Sequence, residues 1–527
     1  MTEPSSIAYP EWTECIKKHG LDPLGMQNTS VGLYQALMPG ISNVTLRIRY
    51  YGFYAWLSLS YAKEVGDTNP KVWQQFIRRA EALYALIAQH HGKETGVAGT
   101  DWAQKKLAKI SGEIIDFSED ADPGSPTHYL KQPWGAYGAA YASQLLAIEV
   151  FSSTDLHEIP VPSLLIGEPL AAAFAAEFGA TAIKYLEIIK LGSVSRTELT
   201  ELSVMAPSDI KLDSNERELY QNLLFAQSGV ERTSDIDRRQ TLNLILSLAN
   251  QLNKIPSIND VRWALYSGFI PNGKPIALTT NELVRHRQRW WVYQANDLSH
   301  ICFEALLKFT LDTLEEFPNG IPLSSLITHT VKKILAEADN LPATWGDFLN
   351  NTKPEVNAWS PSAALSEYEL SRKLMQAARP EGICTSKNAW LALQLLAILH
   401  NRFNEAEQSI KADLSHFESE VDAFRSLLTE IKFLSTHQLE NFSKVIGLII
   451  EERVIRRHFS VALRKLKYQR DYTFLIDSDD GRVRLRSKDG PVFTNPRLGP
   501  AITFLKDIHL INENGLTQLG QQLVENL

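Results

Sequence analysis

The sequence predicts a mainly α, multidomain helical protein with a small α+β domain at its C-terminus. The 527 residues are enough for three or four domains, and 44% hydrophobic with 22% charged residues is the composition of an ordinary soluble protein. Along most of the chain, apolar residues recur at helical spacing between Gly and Pro breaks. Only the C-terminal end contains alternating, β-rich segments.

Residues 44–65 are predicted to form a helix that is buried on most sides. Its tyrosines and Trp56 point in many directions around the axis, which is typical of a core helix. Ser42 or Asn43 is the predicted cap. The helix also contains Arg47 and Arg49, and a buried arginine must be paired. We therefore expect a carboxylate from another helix to pair with at least one of them.

A long helix is predicted from Thr280 or Asn281 to Leu314. Its Trp290 and Trp291 are predicted core residues, although aromatics beside arginines can also stack on a nucleotide. Further helices are predicted over residues 362–378, 386–406 and 418–467, the last with a break near His437. We divide the chain into helical domains at 1–165, 166–275 and 276–425 and a basic domain at 426–527.

Three features indicate the cellular setting. The three cysteines, Cys15, Cys302 and Cys384, are too few and too scattered for a disulfide framework. No apolar stretch approaches the roughly 20 residues of a membrane span, and residues 1–10 are polar rather than a targeting segment. The sequence therefore predicts a cytoplasmic protein without a membrane contact.

Positive charge is concentrated near the C-terminus. Residues 453–506 contain thirteen Lys/Arg and five Asp/Glu, a surplus of eight positive charges in a chain whose net charge is −8. At 100° per residue, five cations share one arc of the predicted helix, opposite an apolar stripe that includes Leu463 and Leu466. A solvated or ion-paired helix is the alternative to phosphate contact. The five cations are Arg453, Arg456, Arg457, Arg464 and Lys467.

A hairpin is predicted after this helix, with its turn at Ser478-Asp479-Asp480-Gly481. Its second strand places Arg482, Arg484 and Arg486 on one face. Residues 501–527 then resemble the end of winged-helix domains, in which a helix, a short wing and a Leu-Thr-x-x-Gly step lead to a last helix capped here by Thr517. This resemblance implies a small C-terminal winged-helix-like α+β domain, a module that binds DNA in some proteins and other proteins in others.

Motifs of catalysis are largely missing from the sequence. A PD-(D/E)xK nuclease site would need Glu-x-Lys opposite Asp477, where the chain has Arg484-Leu485-Arg486. The pair Arg453 and His458 has the Arg-x4-His spacing of helical HEPN ribonucleases, but His458 lies off the arginine's face. No phosphate loop and no zinc spacing occur, and we interpret His90, His91 and Glu94 as a chance cluster. The sequence therefore predicts no catalytic residue, metal or cofactor.

Three parts of the chain carry a family resemblance. They are residues 20–25 (GLDPLG) with 37–45 (LMPGISNVT) and 47–51 (RIRYY), residues 291–294 (WVYQ), and Arg457-His458 with residues 462–466 (ALRKL). Together they resemble a group of uncharacterised, mostly helical bacterial proteins encoded in anti-phage defence islands near helicases and nucleases. The resemblance implies an accessory component of such a system. It supplies no catalytic residues.

The expected function is that of a non-catalytic DNA-binding or adaptor subunit of a multi-component bacterial anti-phage defence system. Its expected partners are the phosphate backbone of DNA and other subunits, such as a helicase or nuclease. The alternatives are an atypical nuclease component and a protein-interaction scaffold that does not contact DNA. The predicted nucleic-acid-binding residues are Arg453, Arg456, Arg457, Arg464, Lys467, Arg482, Arg484 and Arg486.

Overall fold

The protein is mainly α, as predicted, with about 60% of its residues in helices and only a few small strands. The structure, a computed structural model, describes residues 21–92, 94–226, 232–406, 408, 411–412 and 426–525. These residues form two compact units. The larger unit comprises residues 31–293 and 495–525, and the smaller unit comprises residues 21–30 and 294–494.

Two helices have residues in both units, Gln27–Leu37 and Asn281–Glu315. The larger unit is otherwise built from α-helices with single π- and 3-10 turns at Tyr137–Tyr141 and Ser203–Met205. Its α-helices are Arg49–Glu64, Pro70–His91, Thr100–Lys109, Ala142–Ala147, Gly167–Phe178, Ala180–Leu191, Arg196–Leu202, Asn215–Phe225, Thr233–Leu252, Ile258–Ser267, Leu498–Asp507 and Gln518–Glu525.

The smaller unit is a second group of helices beside one three-stranded antiparallel sheet. In that sheet Arg482–Leu485 is the central strand, between Ile321–Pro322 and Ile476–Asp479. A π-helical turn, Ile449–Ile455, joins the α-helices Phe442–Leu448 and Arg456–Gln469. Its α-helices are Leu323–Leu335, Trp345–Asn351, Glu367–Ala377, Ser386–Glu405, Leu427–Thr436, Phe442–Leu448 and Arg456–Gln469.

Three two-stranded antiparallel ladders complete the larger unit. They pair Ile114–Asp116 with Ser193–Ser195, Phe151–Ser152 with Val161–Pro162, and Ile511–Asn512 with Gly515–Leu516. The last ladder lies between the helices Leu498–Asp507 and Gln518–Glu525. The predicted cap of the final helix is confirmed, because Thr517 Oγ1 accepts a hydrogen bond from the Gly520 amide at 3.2 Å.

The helix Arg49–Glu64 is the buried centre of the larger unit. Every residue from Arg49 to Ser58 is buried, which confirms the predicted core helix. The helix begins later than predicted, because residues 42–45 close a separate turn in which Thr45 Oγ1 accepts a hydrogen bond from the Ser42 amide at 2.8 Å. The prediction that Ser42 or Asn43 caps this helix is therefore wrong.

Both arginines of this region have carboxylate partners, as expected for buried guanidinium groups. Arg47 Nη1 lies 2.6 Å from Asp507 Oδ1. Arg49 forms a bidentate pair with Glu216, with hydrogen bonds of 3.0 and 2.9 Å. The two pairs join the N-terminal part of the larger unit to two other helices, Leu498–Asp507 and Asn215–Phe225.

The four sequence segments predicted as domains do not coincide with the two compact units. Residues 426–494 belong to the smaller unit and residues 495–525 to the larger unit. The segment 426–527, predicted as one basic domain, is therefore divided. Its tail packs on the helix Thr233–Leu252, where Gly515 at φ +96° approaches the Ala249 carbonyl so closely that a Cβ would lie 2.6 Å from its oxygen.

Candidate nucleic-acid interface

The predicted basic helix is present but begins with a change of helical pitch. The chain runs from Phe442–Leu448 through the π-helical turn Ile449–Ile455 into Arg456–Gln469. A π-turn closes hydrogen bonds five residues apart rather than four. The angles predicted from 100° per residue are therefore wrong for Arg453 relative to the later cations.

One of the five predicted cations is buried in the smaller unit, and a second is partly buried and paired. Arg457 is 7% exposed, pairs with Glu430 and donates to Met26 Sδ at 3.1 Å. Arg453 lies 3.7 Å from the same carboxylate and stacks over the Phe433 ring at 4.1 Å. The prediction of one exposed arc of five cations is therefore wrong, and Arg457 does not belong to the candidate surface.

The predicted apolar stripe of the helix is only partly buried. Ile455 and Ala462 of that stripe are buried, whereas Leu463 and Leu466 are 57% and 39% exposed. Val461 and His458, which were not assigned to the stripe, are also buried. Exposed leucines beside the remaining cations make this face mixed rather than purely basic.

The other three predicted cations of the helix are also at least partly accessible. Arg456 is exposed and hydrogen-bonded to Glu451. Arg464 is half-buried, and Lys467 is exposed with its Nζ 5.1 Å from the Tyr468 ring centre. The exposed Arg470, which ends the helix in a left-handed conformation, extends this group beyond the predicted residues.

The predicted hairpin is confirmed, with Asp480 and Gly481 at φ +48° and +70° in its turn. Arg482, Arg484 and Arg486 are exposed, whereas Val483 between the first two is buried. Arg484 and Arg486 each have an aspartate at 3.7 Å across the hairpin, Asp479 and Asp477 respectively. Such exposed pairs contribute at most about 1 kcal/mol, so they leave the arginines available to a phosphate.

Direct contacts connect the hairpin to the helix. The Leu475 amide donates to His458 Nε2 at 2.9 Å, and the Arg486 guanidinium lies 4.3 Å from the centre of the Tyr472 ring. Tyr468 and Tyr472 are 72% and 49% exposed. The sequence analysis missed these tyrosines, although aromatics between cations are typical of nucleic-acid surfaces. We call the following residues the basic surface: Arg456, Arg464, Lys467, Tyr468, Arg470, Tyr472, Arg482, Arg484 and Arg486.

His458 is not available for ribonuclease chemistry. It is fully buried, its Nε2 accepts the hydrogen bond from Leu475, and its Nδ1 lies 3.2 Å from the Pro23 carbonyl oxygen. These contacts place the single proton of a neutral ring on Nδ1. Burial lowers the pKa of His458 to about 4. The Arg-x4-His spacing therefore reflects packing, since His458 is buried and Arg453 lies beside the Glu430 carboxylate.

We expect His458 to make the protein less stable in acid. The unfolded chain takes up a proton at this histidine near pH 6.5, whereas the folded chain resists protonation until about pH 4. The free energy of unfolding therefore decreases as the pH falls between these values, by about 2 kcal/mol between about pH 7.5 and 5. Urea unfolding of His458→Gln should show a smaller loss over that range than the wild type. An equal loss in both proteins would contradict the assignment.

The sequence stretches that carry the family resemblance are packing contacts in the structure. In the smaller unit, Pro23 and Met26 contact His458 and Arg457, and Lys465 Nζ donates to the Asp22 carbonyl at 3.0 Å. In the larger unit, Asn43 Oδ1 accepts from the Arg497 amide at 3.0 Å. Residues 21–25 and the segment 457–466 therefore pack against each other within the smaller unit.

A second cationic region, which the sequence analysis missed, lies in the larger unit. A cavity of about 790 Å³ is lined by the helix Thr100–Lys109 and residues 126–131. Its exposed lysines are Lys105, Lys109 and Lys131, whereas Lys106 is paired with the buried Asp120. These exposed lysines make the cavity a second candidate for phosphate contact, beside the basic surface.

One group of side chains in the described part of the chain has the composition of a metal site. His91, Glu94 and Asp209 bring their ligand atoms within 4.8 Å of one another. His90 is not in this group, because its Nε2 is 2.9 Å from Thr200 Oγ1. Cys302 and Cys384 are buried, and burial raises the pKa of both thiols, so neither thiol is poised for reaction.

Comparisons with known proteins found no match among family models, curated proteins or solved structures. Within the described residues, no helix combines the length and the apolar character that crossing a membrane requires.

Proposed function

We propose that this chain is a non-catalytic DNA-binding or adaptor subunit of a multi-component bacterial anti-phage defence system. The observation that carries the DNA contact is the exposed row Arg482, Arg484 and Arg486, with Tyr472 stacked on Arg486. Exposed cations also end the preceding helix, Arg456–Gln469. Clustered, exposed cations without base-specific geometry fit the phosphate backbone of duplex DNA.

Membership of a defence system, with a helicase or nuclease as partner, rests on the family resemblance alone. The order of helix, short hairpin and helix at residues 498–525 is compatible with the winged-helix-like end that the sequence suggested. In this proposal the tail need not touch DNA, because its Arg497 is buried and donates to the Met38 carbonyl at 3.0 Å. In this proposal the basic surface therefore makes the DNA contact.

The test is equilibrium binding of a short duplex DNA to the purified chain as a function of salt. About six phosphate contacts predict a loss of roughly 10³-fold in affinity between about 50 and 200 mM salt. Absence of binding at the lower salt concentration would contradict the proposal and favour the protein-interaction scaffold. Cleavage of the DNA that persists through purification and stops on chelation would favour the atypical nuclease.

A further inference from the structure

The group His91, Glu94 and Asp209 lies in the larger unit and shares no residue with the basic surface. His91 is the last residue of the helix Pro70–His91, Glu94 follows the left-handed Gly92, and Asp209 precedes the helix Asn215–Phe225. The His91 Nε2 and Asp209 Oδ2 atoms are 3.4 Å apart. Two ligands of one tetrahedral zinc ion, each about 2.1 Å from it, are also about 3.4 Å apart.

Neighbouring side chains hold the two carboxylates in place. Arg49 donates to the Ala206 and Asp209 carbonyls at 2.5 and 3.1 Å, which fixes the turn that carries Asp209. Ser208 Oγ donates to Glu94 Oε1. Hydrogen bonds of this kind orient metal ligands in known sites, and their loss commonly lowers metal affinity.

These contacts satisfy only one of the two carboxylate oxygens of Glu94. The other carboxylate oxygen, Glu94 Oε2, is buried and accepts no hydrogen bond among the described residues. Within the described parts of the chain, neither Glu94 nor Asp209 forms an ion pair with Lys or Arg. Two carboxylates beside one imidazole therefore present negative charge that a cation would neutralise, and the side chains of His91 and Asp209 remain 24% and 49% exposed to it.

We propose that His91, Glu94 and Asp209 form a binding site for a divalent transition-metal ion, with Zn²⁺ as the occupant. His91 Nε2, Glu94 Oε2 and one Asp209 carboxylate oxygen are the protein ligands, and water completes the coordination. An imidazole favours Zn²⁺ over Mg²⁺ and Ca²⁺, which prefer all-oxygen sites. The proposal does not depend on DNA binding.

The test is calorimetric titration of Zn²⁺ into the full chain after treatment with a chelator. We expect one ion per chain in the wild type, and a loss of at least about 100-fold in affinity in His91→Ala and in Asp209→Asn. His90→Ala is the matched control, because His90 is the adjacent histidine but bonds to Thr200, and it should bind as the wild type does. Equal loss in His90→Ala, or unchanged binding in His91→Ala, would overturn the site.

A second measurement separates metal ligation from folding. Without metal, the thermal unfolding midpoints of His91→Ala and Asp209→Asn should equal that of the wild type, because both side chains are partly exposed. Added Zn²⁺ should raise the midpoint of the wild type and of His90→Ala only. Ser208→Ala, which removes a positioning residue, should weaken Zn²⁺ binding by about 10- to 100-fold. A Zn²⁺-induced rise in all variants would place the ion elsewhere and overturn the proposal.

Discussion

Charge reversal at Lys467, Arg482 and Arg484 should weaken duplex DNA binding by about 100-fold or more at about 50 mM salt. Each substitution to Glu removes a cation from the basic surface and adds a charge that repels phosphate. All three side chains are exposed, although Arg482 also donates a hydrogen bond to the Gly320 carbonyl at 3.0 Å. The thermal unfolding midpoint of the variant is therefore measured beside its affinity, to show that the protein is folded where DNA binding is measured. Fluorescence anisotropy of a labelled duplex measures the affinity.

The controls for this variant distinguish a local site from net charge. Reversal at Lys332, Lys353 and Lys387, which are exposed in the same unit, changes the net charge equally and should leave the affinity within about threefold of wild type. A third variant reverses Lys105, Lys109 and Lys131 at the cavity of the larger unit. If that third variant loses DNA binding while the variant reversed at Lys467, Arg482 and Arg484 retains it, the DNA site is the cavity and our assignment is wrong.

Replacing Arg49 by Met should destabilise the protein by about 3–5 kcal/mol. Arg49 is fully buried, and its loss would leave the Glu216 carboxylate without its bidentate partner. Burial alone would lower the pKa of Arg49, but the nearby Glu216 outweighs it and raises that pKa. The pair with Glu216 therefore stabilises the charged form of Arg49 in the folded protein. Urea unfolding at neutral pH measures the change.

A double-mutant cycle identifies the pair as the cause. Arg49→Met with Glu216→Gln should cost clearly less than the two single changes added together, because removing both charges leaves neither unpaired. Arg49→Lys keeps the charge but cannot make both hydrogen bonds, and it should show an intermediate loss. Additive costs in the cycle would mean that Arg49 acts through its hydrogen bonds to the Ala206 and Asp209 carbonyls instead.

Local sequence signals predicted many helices and the hairpin. The Asp480-Gly481 turn, the Thr517 cap and the helix Asn281–Glu315 follow from residues within a few positions of each element. The start of the helix Arg49–Glu64 was missed because Ser42 bonds to Thr45 in a turn instead of capping. The grouping of elements into two discontinuous units depends on contacts between distant segments, which a local pattern does not contain.

The candidate surface was only partly predictable for the same reason. The sequence shows that Arg457 is charged, but its partner Glu430 lies on another helix, and the π-turn before it changes which residues share a face. For Arg47 and Arg49 the need for carboxylates was predictable from the cost of a buried charge, whereas the identities of Asp507 and Glu216 were not. Asp209 likewise reaches His91 and Glu94 only through the fold.

The salt dependence of DNA binding, compared between the wild type and Arg482→Gln with Arg484→Gln, decides whether the hairpin contacts phosphate. Each lost phosphate contact lowers the slope of log affinity against log salt concentration by about 0.9. We therefore predict a slope smaller by about 1.8 in this variant, and an unchanged slope in the matched variant Lys332→Gln with Lys387→Gln. Equal slopes in the wild type and the hairpin variant would show that Arg482 and Arg484 touch no DNA, and would contradict the assignment of DNA binding to the basic surface.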